Sequence, residues 1–251
     1  SIISEKSISN KRKWQHTKDF SANQNKTVLK ETISYNILDS ILPDFIVEKS
    51  ISRRLEKEFN FRKHRIENDI CQHQLYPYQK RQNIAIAGSN NNLAKQLKSF
   101  LNSGQHNVYS FVSRKPYPTA REIQLNTRNG NTDLKTMQNI DSVIFFAIDD
   151  STHLHDQNFD KVLNSKLSQI KLMTKSFKLN NQFPESIIVM SSTCVYDPKN
   201  KHSNDLSKVN SSSKMALYYL QIEKEFNELK KAGVRVIYSR SGNILSARQG
   251  L

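Results

Sequence analysis

Three residues at fixed spacing have the pattern of a phosphate-binding turn. Gly88, Asn91 and Ala94 follow the apolar run IAIA, which begins at Ile84 and reads as a short buried strand. Dinucleotide-binding folds place glycine at the first two positions, for a tight turn and for close approach of backbone to the diphosphate, and a small residue at the third. Ala94 is tolerable, but the Asn91 side chain occupies space that a diphosphate would need. The spacing indicates a nucleotide-binding fold with a damaged cofactor loop.

A basic segment follows this turn after about twenty residues. An enzyme that uses NAD would offer Asp or Glu here to the adenosine ribose, whereas this chain offers Ser113, Arg114 and Lys115. Arg114 and Lys115 favour the additional phosphate of NADP over NAD. A solvated basic loop is the alternative. We therefore expect weak NADP binding or none.

Potential metal ligands are few and poorly spaced. The densest group lies in a predicted loop and comprises Asp149, Asp150, His153, His155 and Asp156. Its two histidines lack a third ligand at the spacing of a structural metal site. Cys71 and Cys194 lie in different predicted segments. We predict neither a metal site nor a disulfide framework.

From residue 83 onward, strand-like and helix-like runs alternate. This alternation predicts an α/β fold with a doubly wound parallel sheet of the Rossmann type. The strands are predicted at Ile84–Ala87, Val108–Val112, Ser142–Ala147, Ile187–Met190 and Arg235–Tyr238. Helices are predicted near 92–102, 158–180 and 211–231.

The residues before 83 follow another pattern. Alternation within 28–35 predicts a strand or hairpin, and apolar residues recur at helical spacing from 43 to 70. A linker at 76–82 ends this segment, so residues 14–75 are predicted to form a partial α+β unit. Residues 1–13 are rich in Ser and Lys and are assigned to a tail or a targeting remnant.

The charge favours acidic partners. The 251 residues carry 38 Lys and Arg against 23 Asp and Glu, a formal charge of +15. RNA, anionic lipid or an acidic subunit would suit such a surface, although aromatic residues are not interleaved as a base-stacking platform requires. No apolar run reaches the length needed to cross a bilayer, so no membrane span is expected.

Five segments in order resemble the extended or atypical short-chain dehydrogenase/reductase superfamily, in its nucleoside-diphosphate-sugar epimerase-like branch. They read IAIAGSNNNLA at 84–94, HNVYSFVSRKP at 106–116, DSVIFFA at 141–147, IIVMSSTCVYD at 187–197 and AGVRVIYSRSGNIL at 232–245. The resemblance implies that residues 83–251 form a Rossmann-type domain without the family's C-terminal substrate subdomain. It also implies that residues 14–75 are the tail of a START or polyketide-cyclase-like domain.

The resemblance also implies a catalytic set of Ser or Thr, Tyr, and Lys four residues after the Tyr. Ser192 matches the hydroxyl position, and Tyr196 is a phenol near the same strand end. Alignment on Lys214 places Asn210 at the tyrosine position. The alternative alignment places Met215 and Tyr219 at the tyrosine and lysine positions.

We therefore expect a degenerate, non-catalytic protein with a NAD(P)-binding fold, acting as a structural or accessory subunit of a larger assembly. An active NADP-dependent oxidoreductase or epimerase is the first alternative. An RNA-contacting component of an organellar ribosome is the second. A mitochondrial location is expected from the first residues, with the cytoplasm as the alternative.

Overall fold

The computed structural model of the protein describes residues 2–9, 12–24, 26–37, 44–76, 80–88, 91–148, 159–197, 199, 203–209 and 213–242. The chain divides into two compact units, Ser1–Leu75 and Tyr76–Leu251.

The first unit is an antiparallel sheet of three strands followed by one long helix. Its elements are β1 (Ile2–Ser9), β2 (Arg12–Asn23), β3 (Lys26–Ile37) and α1 (Asp44–Leu75). Glu31 on β3 links the sheet to the helix, because it contacts His16 Nε2 of β2 at 3.0 Å and Arg62 of α1 at 2.8 Å. The predicted hairpin and helix are both present. Strand β1 lies within residues 1–13, which the sequence analysis assigned to a tail.

The second unit is built on a seven-stranded sheet in the order β10-β9-β8-β4-β5-β6-β7. Only the pairing of β6 with β7 is antiparallel. The strands are β4 (Asn83–Ala87), β5 (Asn107–Val112), β6 (Glu122–Asn126), β7 (Asn131–Thr132), β8 (Ser142–Phe146), β9 (Ser186–Ser192) and β10 (Arg235–Ser241). The helices are α2 (Asn92–Ser103), α3 (Leu134–Met137), α4 (Phe159–Asn180), α5 (Lys214–Glu225) and α6 (Asn227–Lys231).

The central strands are apolar because both faces of the sheet are covered. Every residue of β8 is buried, and in register Ile144 lies between Ile86 of β4 and Ile188 of β9. On one face the ring of Phe145 meets Phe226 edge to face at 5.1 Å between centroids. Tyr218 is fully buried on α5 and donates its hydroxyl to the Ala147 carbonyl at 2.5 Å.

The structure confirms the predicted Rossmann-type sheet. It differs in two places. Strands β6 and β7 and the short helix α3 were not anticipated, because β6 reads EIQLN and its polar residues weaken the apolar signal. The helix predicted at 211–231 is divided into α5 and α6 at Phe226, whose ring is fully buried. In the part of the chain that the structure describes, no helix is long and apolar enough to cross a membrane.

Candidate functional site

The turn after β4 is closed by its own asparagine. Gly88 has a φ of +84°, as a tight turn requires, and its carbonyl accepts the Asn91 backbone N–H at 3.1 Å. Asn91 Oδ1 accepts the N–H groups of Leu93 at 2.8 Å and Ala94 at 3.3 Å. These are first-turn N–H groups of α2, of the kind that bind phosphate in dinucleotide enzymes. A side chain therefore occupies donors that a diphosphate would use.

The same side chain joins two strand ends. Asn91 Nδ2 donates to the Ile148 carbonyl, just after β8, at 3.2 Å. The Ile148 side chain is half-buried and packs against the hydrophobic core, and its backbone carbonyl is what holds Asn91. The predicted loop residues Gly88, Asn91 and Ala94 are thus brought together, with Asn91 serving as the helix cap.

A cleft lies beside this turn, at the carboxyl ends of β4 and β5. It encloses about 510 Å³, and its polar lining includes Lys95, Lys98, Ser110, Arg114, Glu122 and Lys166. Lys98 Nζ donates to Ser110 Oγ at 2.9 Å, and the buried Lys166 donates to the Phe146 carbonyl at 3.2 Å. Open parallel sheets bind ligands at this edge, and the lining is strongly basic.

The basic residues predicted to select NADP have other contacts. Arg114 forms two hydrogen bonds with Glu122, at 2.6 and 2.9 Å, and its guanidinium lies 3.9 Å from the centroid of the Tyr117 ring. The Arg114 guanidinium holds the pKa of Glu122 below its usual range. Lys115 is exposed, and its carbonyl accepts a further bond from Arg114. Glu122 was missed because it lies on the unanticipated strand β6.

The catalytic candidates lie at the carboxyl end of β9. Ser192 Oγ accepts the Cys194 N–H at 3.2 Å and caps a single 3₁₀ turn, Thr193–Val195. The Tyr196 hydroxyl accepts a hydrogen bond from Arg240 at 3.2 Å, and the guanidinium lies 5.3 Å from the ring centroid. Lys214 is exposed at the start of α5. Ser192 and Tyr196 therefore share one edge, and both have structural contacts.

A charged network behind Tyr196 was not predicted. Arg240 of β10 binds both carboxylate oxygens of Glu223, at 3.0 and 2.6 Å. Ser191 Oγ donates to the same carboxylate at 2.7 Å, and the Tyr238 hydroxyl donates to the Glu223 carbonyl at 2.9 Å. Hydrogen bonding to Glu223 raises the pKa of Arg240. The available signal was an acid on an otherwise apolar face of α5.

The alternative alignment places two other side chains at the catalytic positions. Met215 is half-buried and has no ionisable proton. Burial, with a smaller contribution from Cys194, raises the pKa of Tyr219 to about 12, so its phenol is neutral at physiological pH. A neutral phenol cannot supply the positive charge of a lysine. Asn210 lies outside the described residues.

Metal binding finds no support within the described ranges. No group of three or more His, Cys, Asp or Glu side chains there could hold an ion. The histidine and aspartate run at 149–156 lies outside those ranges.

Solved structures share this architecture. A nucleoside-diphosphate sugar epimerase from Corynebacterium glutamicum matches over 94% of this chain and 48% of its own, with a TM-score of 0.69 and 19% identity. UDP-glucuronic acid 4-epimerase from Bacillus cereus, in complex with NAD, matches over 67% and 58%, with a TM-score of 0.53 and 17% identity. The fold is that of nucleoside-diphosphate-sugar epimerases. The sequence matches no protein-family model and no curated protein.

The extent of these matches differs between the two units. The chain spans about half the length of the solved structures that it matches. The Corynebacterium match covers 94% of this chain and therefore extends into the residues before 76. UDP-N-acetylglucosamine 4-epimerase from Bacillus cereus matches over only 63% of this chain and 55% of its own, with a TM-score of 0.51 and 12% identity. The N-terminal unit therefore has a structural counterpart in one epimerase. Its START-like origin stays a prediction.

Proposed function

We propose that this protein is a Rossmann-fold scaffold without epimerase or reductase chemistry, which binds NADP weakly or not at all and serves as an accessory subunit of a larger assembly. The observation that carries the proposal is the Asn91 cap. Its side chain takes two N–H groups at the start of α2 and is tied to the Ile148 carbonyl. A diphosphate would have to displace these three hydrogen bonds.

The catalytic edge supports the same proposal. Ser192 caps a turn, and Tyr196 accepts a hydrogen bond from Arg240, which is itself held by Glu223. An acid/base tyrosine needs a neighbouring positive charge and access to substrate. Arg240 supplies a positive charge, but Glu223 compensates it within the same network. The phenol is then best explained as part of the packing between β9, β10 and α5.

An active NADP-dependent oxidoreductase or epimerase is the second candidate. The basic cleft of about 510 Å³ favours it, because the cleft persists beside the altered loop. The UDP-glucuronic acid 4-epimerase of the same fold was solved with NAD bound, as was a short-chain dehydrogenase/reductase superfamily protein from Agrobacterium tumefaciens. A role at RNA in an organellar ribosome is a further alternative, supported by the formal charge of +15. The mitochondrial location is likewise proposed, and fractionation of cells would test it.

Titration of NADPH and NADH against the purified protein separates the first two candidates. We expect wild-type dissociation constants weaker than about 100 μM, and at least about tenfold tighter NADPH binding in Asn91→Gly, which frees the α2 N–H groups. Asn91→Asp is the matched control, because it keeps the cap acceptor and adds negative charge. Wild-type binding at about 10 μM or better, equivalent to about 7 kcal/mol, would refute the scaffold proposal.

Washing the native assembly with salt separates a protein-bound subunit from an RNA-bound one. Contacts to phosphate weaken steeply with salt because counterions are released on binding, whereas apolar contacts change little. We expect the protein to remain with the assembly between about 0.1 and 0.5 M salt. Complete release over that range would favour the RNA role, and recovery of an isolated protein from cells would favour the enzyme.

A further inference from the structure

A second cavity, formed by α4, the end of α5, and α6, is separate from the nucleotide cleft. It encloses about 380 Å³, and all the residues that line it are described: Lys171, Thr174, Lys175, Lys178, Leu179, Glu225 and Glu228. The three lysines and the threonine fall within one face of α4, since helix positions three and four apart lie together. The cavity therefore has a basic wall from one helix and an acidic wall from the other two.

The charges of the two walls are unequally compensated. Glu228 is held at 3.1 Å by Lys231 and at 3.9 Å by Lys178, and these lysines lower its pKa. Lys171 and Lys175 have no ion-pair partner among the described residues. Like charges one helical turn apart repel each other, so Lys171 and Lys175 destabilise α4 unless an anion lies between them. The basic wall thus has charge available for a ligand.

Thr174 provides the second observation. Its side chain is nine-tenths buried, and its hydroxyl has no hydrogen-bond partner. Ser168 and Ser176, on the same helix, donate to the carbonyls four residues earlier at 2.8 Å. The oxygen itself is buried, so a change of χ1 rotamer would have to bring the Thr174 hydroxyl to a ligand in the cavity that this residue lines. A buried hydroxyl without a partner is costly, and a bound anion would supply one.

We propose that this cavity binds a small phosphate monoester that also carries hydroxyl or ammonium groups. The phosphate would lie against Lys171 and Lys175 and accept the Thr174 hydroxyl. Glu225 would accept hydrogen bonds from the donor groups at the other end of the ligand. A phosphodiester chain suits the cavity less well, because its successive charges would approach the Glu225 and Glu228 carboxylates.

Calorimetric titration of the full chain at constant ionic strength tests this site, with inorganic phosphate, phosphoethanolamine and an oligouridylate as probes. We expect phosphoethanolamine to bind most tightly, since its ammonium can meet Glu225. Its affinity should fall below about pH 6, where the phosphate takes up a proton and loses one charge. The proposal would be overturned if none of the three probes saturated the site by about 10 mM, or if the oligouridylate bound most tightly.

Variants locate the binding. We expect the double change Lys171→Gln and Lys175→Gln to weaken phosphoethanolamine binding at least about tenfold, and Thr174→Val, which keeps the shape, to weaken it about three- to tenfold. Lys161→Gln is the matched control, because Lys161 is exposed on the same helix and does not line the cavity. An equal loss in Lys161→Gln would show unspecific attraction and contradict the proposal. Thermal unfolding of each variant confirms that it is folded, and NADPH binding, measured separately, concerns only the cleft.

Discussion

The two halves of the carboxyl edge of the seven-stranded sheet use polar residues differently. At the ends of β4 and β5 a basic cleft of about 510 Å³ remains open, although Asn91 occupies the donors of its phosphate loop. At the ends of β9 and β10, Ser191, Glu223 and Arg240 bond to one another and hold Tyr196. The first half has open space, and a side chain holds its loop donors. The second half has polar groups that bond to one another.

Under the scaffold proposal, the two halves would lack chemistry for different reasons. A helix N-terminus capped by a side chain can be reopened by one substitution, because the backbone N–H groups are still in place. A buried ionic network cannot be converted so simply, since removing one partner leaves the other charge without compensation. The nucleotide half should therefore respond to mutation by a change in binding, and the β9–β10 half by a change in stability.

The largest effect is expected at Glu223. Its carboxylate is buried and binds Arg240 and Ser191, so Glu223→Ala leaves a largely buried guanidinium and a buried hydroxyl without their acceptor. We expect the free energy of unfolding to fall by about 3 kcal/mol. Urea denaturation followed by circular dichroism measures it. Glu223→Gln keeps the size and one acceptor and should lose less; equal losses would contradict this expectation and show that the negative charge, and not the size or the hydrogen-bond acceptor, is what stabilises this half.

Tyr219 should make stability depend on alkaline pH. Its pKa is about 12 in the folded protein, above the ordinary value of 10. Between these values the unfolded chain releases the proton first, so stability is unaffected below pH 10 and falls as the pH rises towards 12. Tyr219→Phe should remove about 2–3 kcal/mol of this loss. Denaturant unfolding at pH 9 to 12 measures this loss for Tyr219→Phe and for a control, Tyr117→Phe, in which an exposed tyrosine is changed. If the free energy of unfolding falls with pH equally in both variants, Tyr219 is not the group responsible.

Asn91 should also contribute to stability, because it caps α2. Asn91→Ala removes the cap of α2 and the bond to the Ile148 carbonyl, and should lower the free energy of unfolding by about 1–2 kcal/mol. Asn91→Asp keeps the acceptor for the N–H groups and loses only the donor, so its loss should be smaller. Thermal denaturation of the wild type, Asn91→Ala and Asn91→Asp measures these losses of stability. A variant with alanine as stable as wild type would mean that the loop is held by other contacts.

Arg114 should matter least for stability. The Arg114 side chain is 45% exposed and its partner Glu122 is 13% exposed, so the pair lies at the protein surface, where ion pairs stabilise proteins weakly. Arg114→Gln should change the melting temperature less than any of the preceding variants. In the Asn91→Gly background, however, it should reduce the preference for NADPH over NADH, because the additional phosphate would lose its only guanidinium in the described lining of the cleft. Unchanged cofactor preference would place that phosphate elsewhere.

The core strands could be predicted from local sequence, whereas the contacts of the site residues depend on parts of the chain that are far apart. The core strands β4, β8 and β9 were readable because two-sided burial demands continuous apolar runs. Strand β6 was not, since EIQLN has only two apolar residues, and so short an alternation does not stand out from a loop. Position alone identified Asn91 as an obstacle, but its bond to Ile148 spans 57 residues and is set by the crossover geometry. The Glu223–Arg240 pair was likewise not predictable, because it depends on how α5 packs against β9 and β10.

The arrangement of strand pairs also bears on the order of folding. In the first unit, β1, β2 and β3 pair only with their neighbours along the chain, so each pairing closes a short loop. In the second unit, β4 pairs with β8, and the Asn83 amide donates to the Asp141 side chain, 58 residues later. Closing long loops costs entropy before contacts repay it, which slows folding. During synthesis the N-terminal unit can therefore fold before β8, the second strand that pairs with β4, has left the ribosome. Until then one edge of β4 is unpaired, and we expect chaperones to bind there.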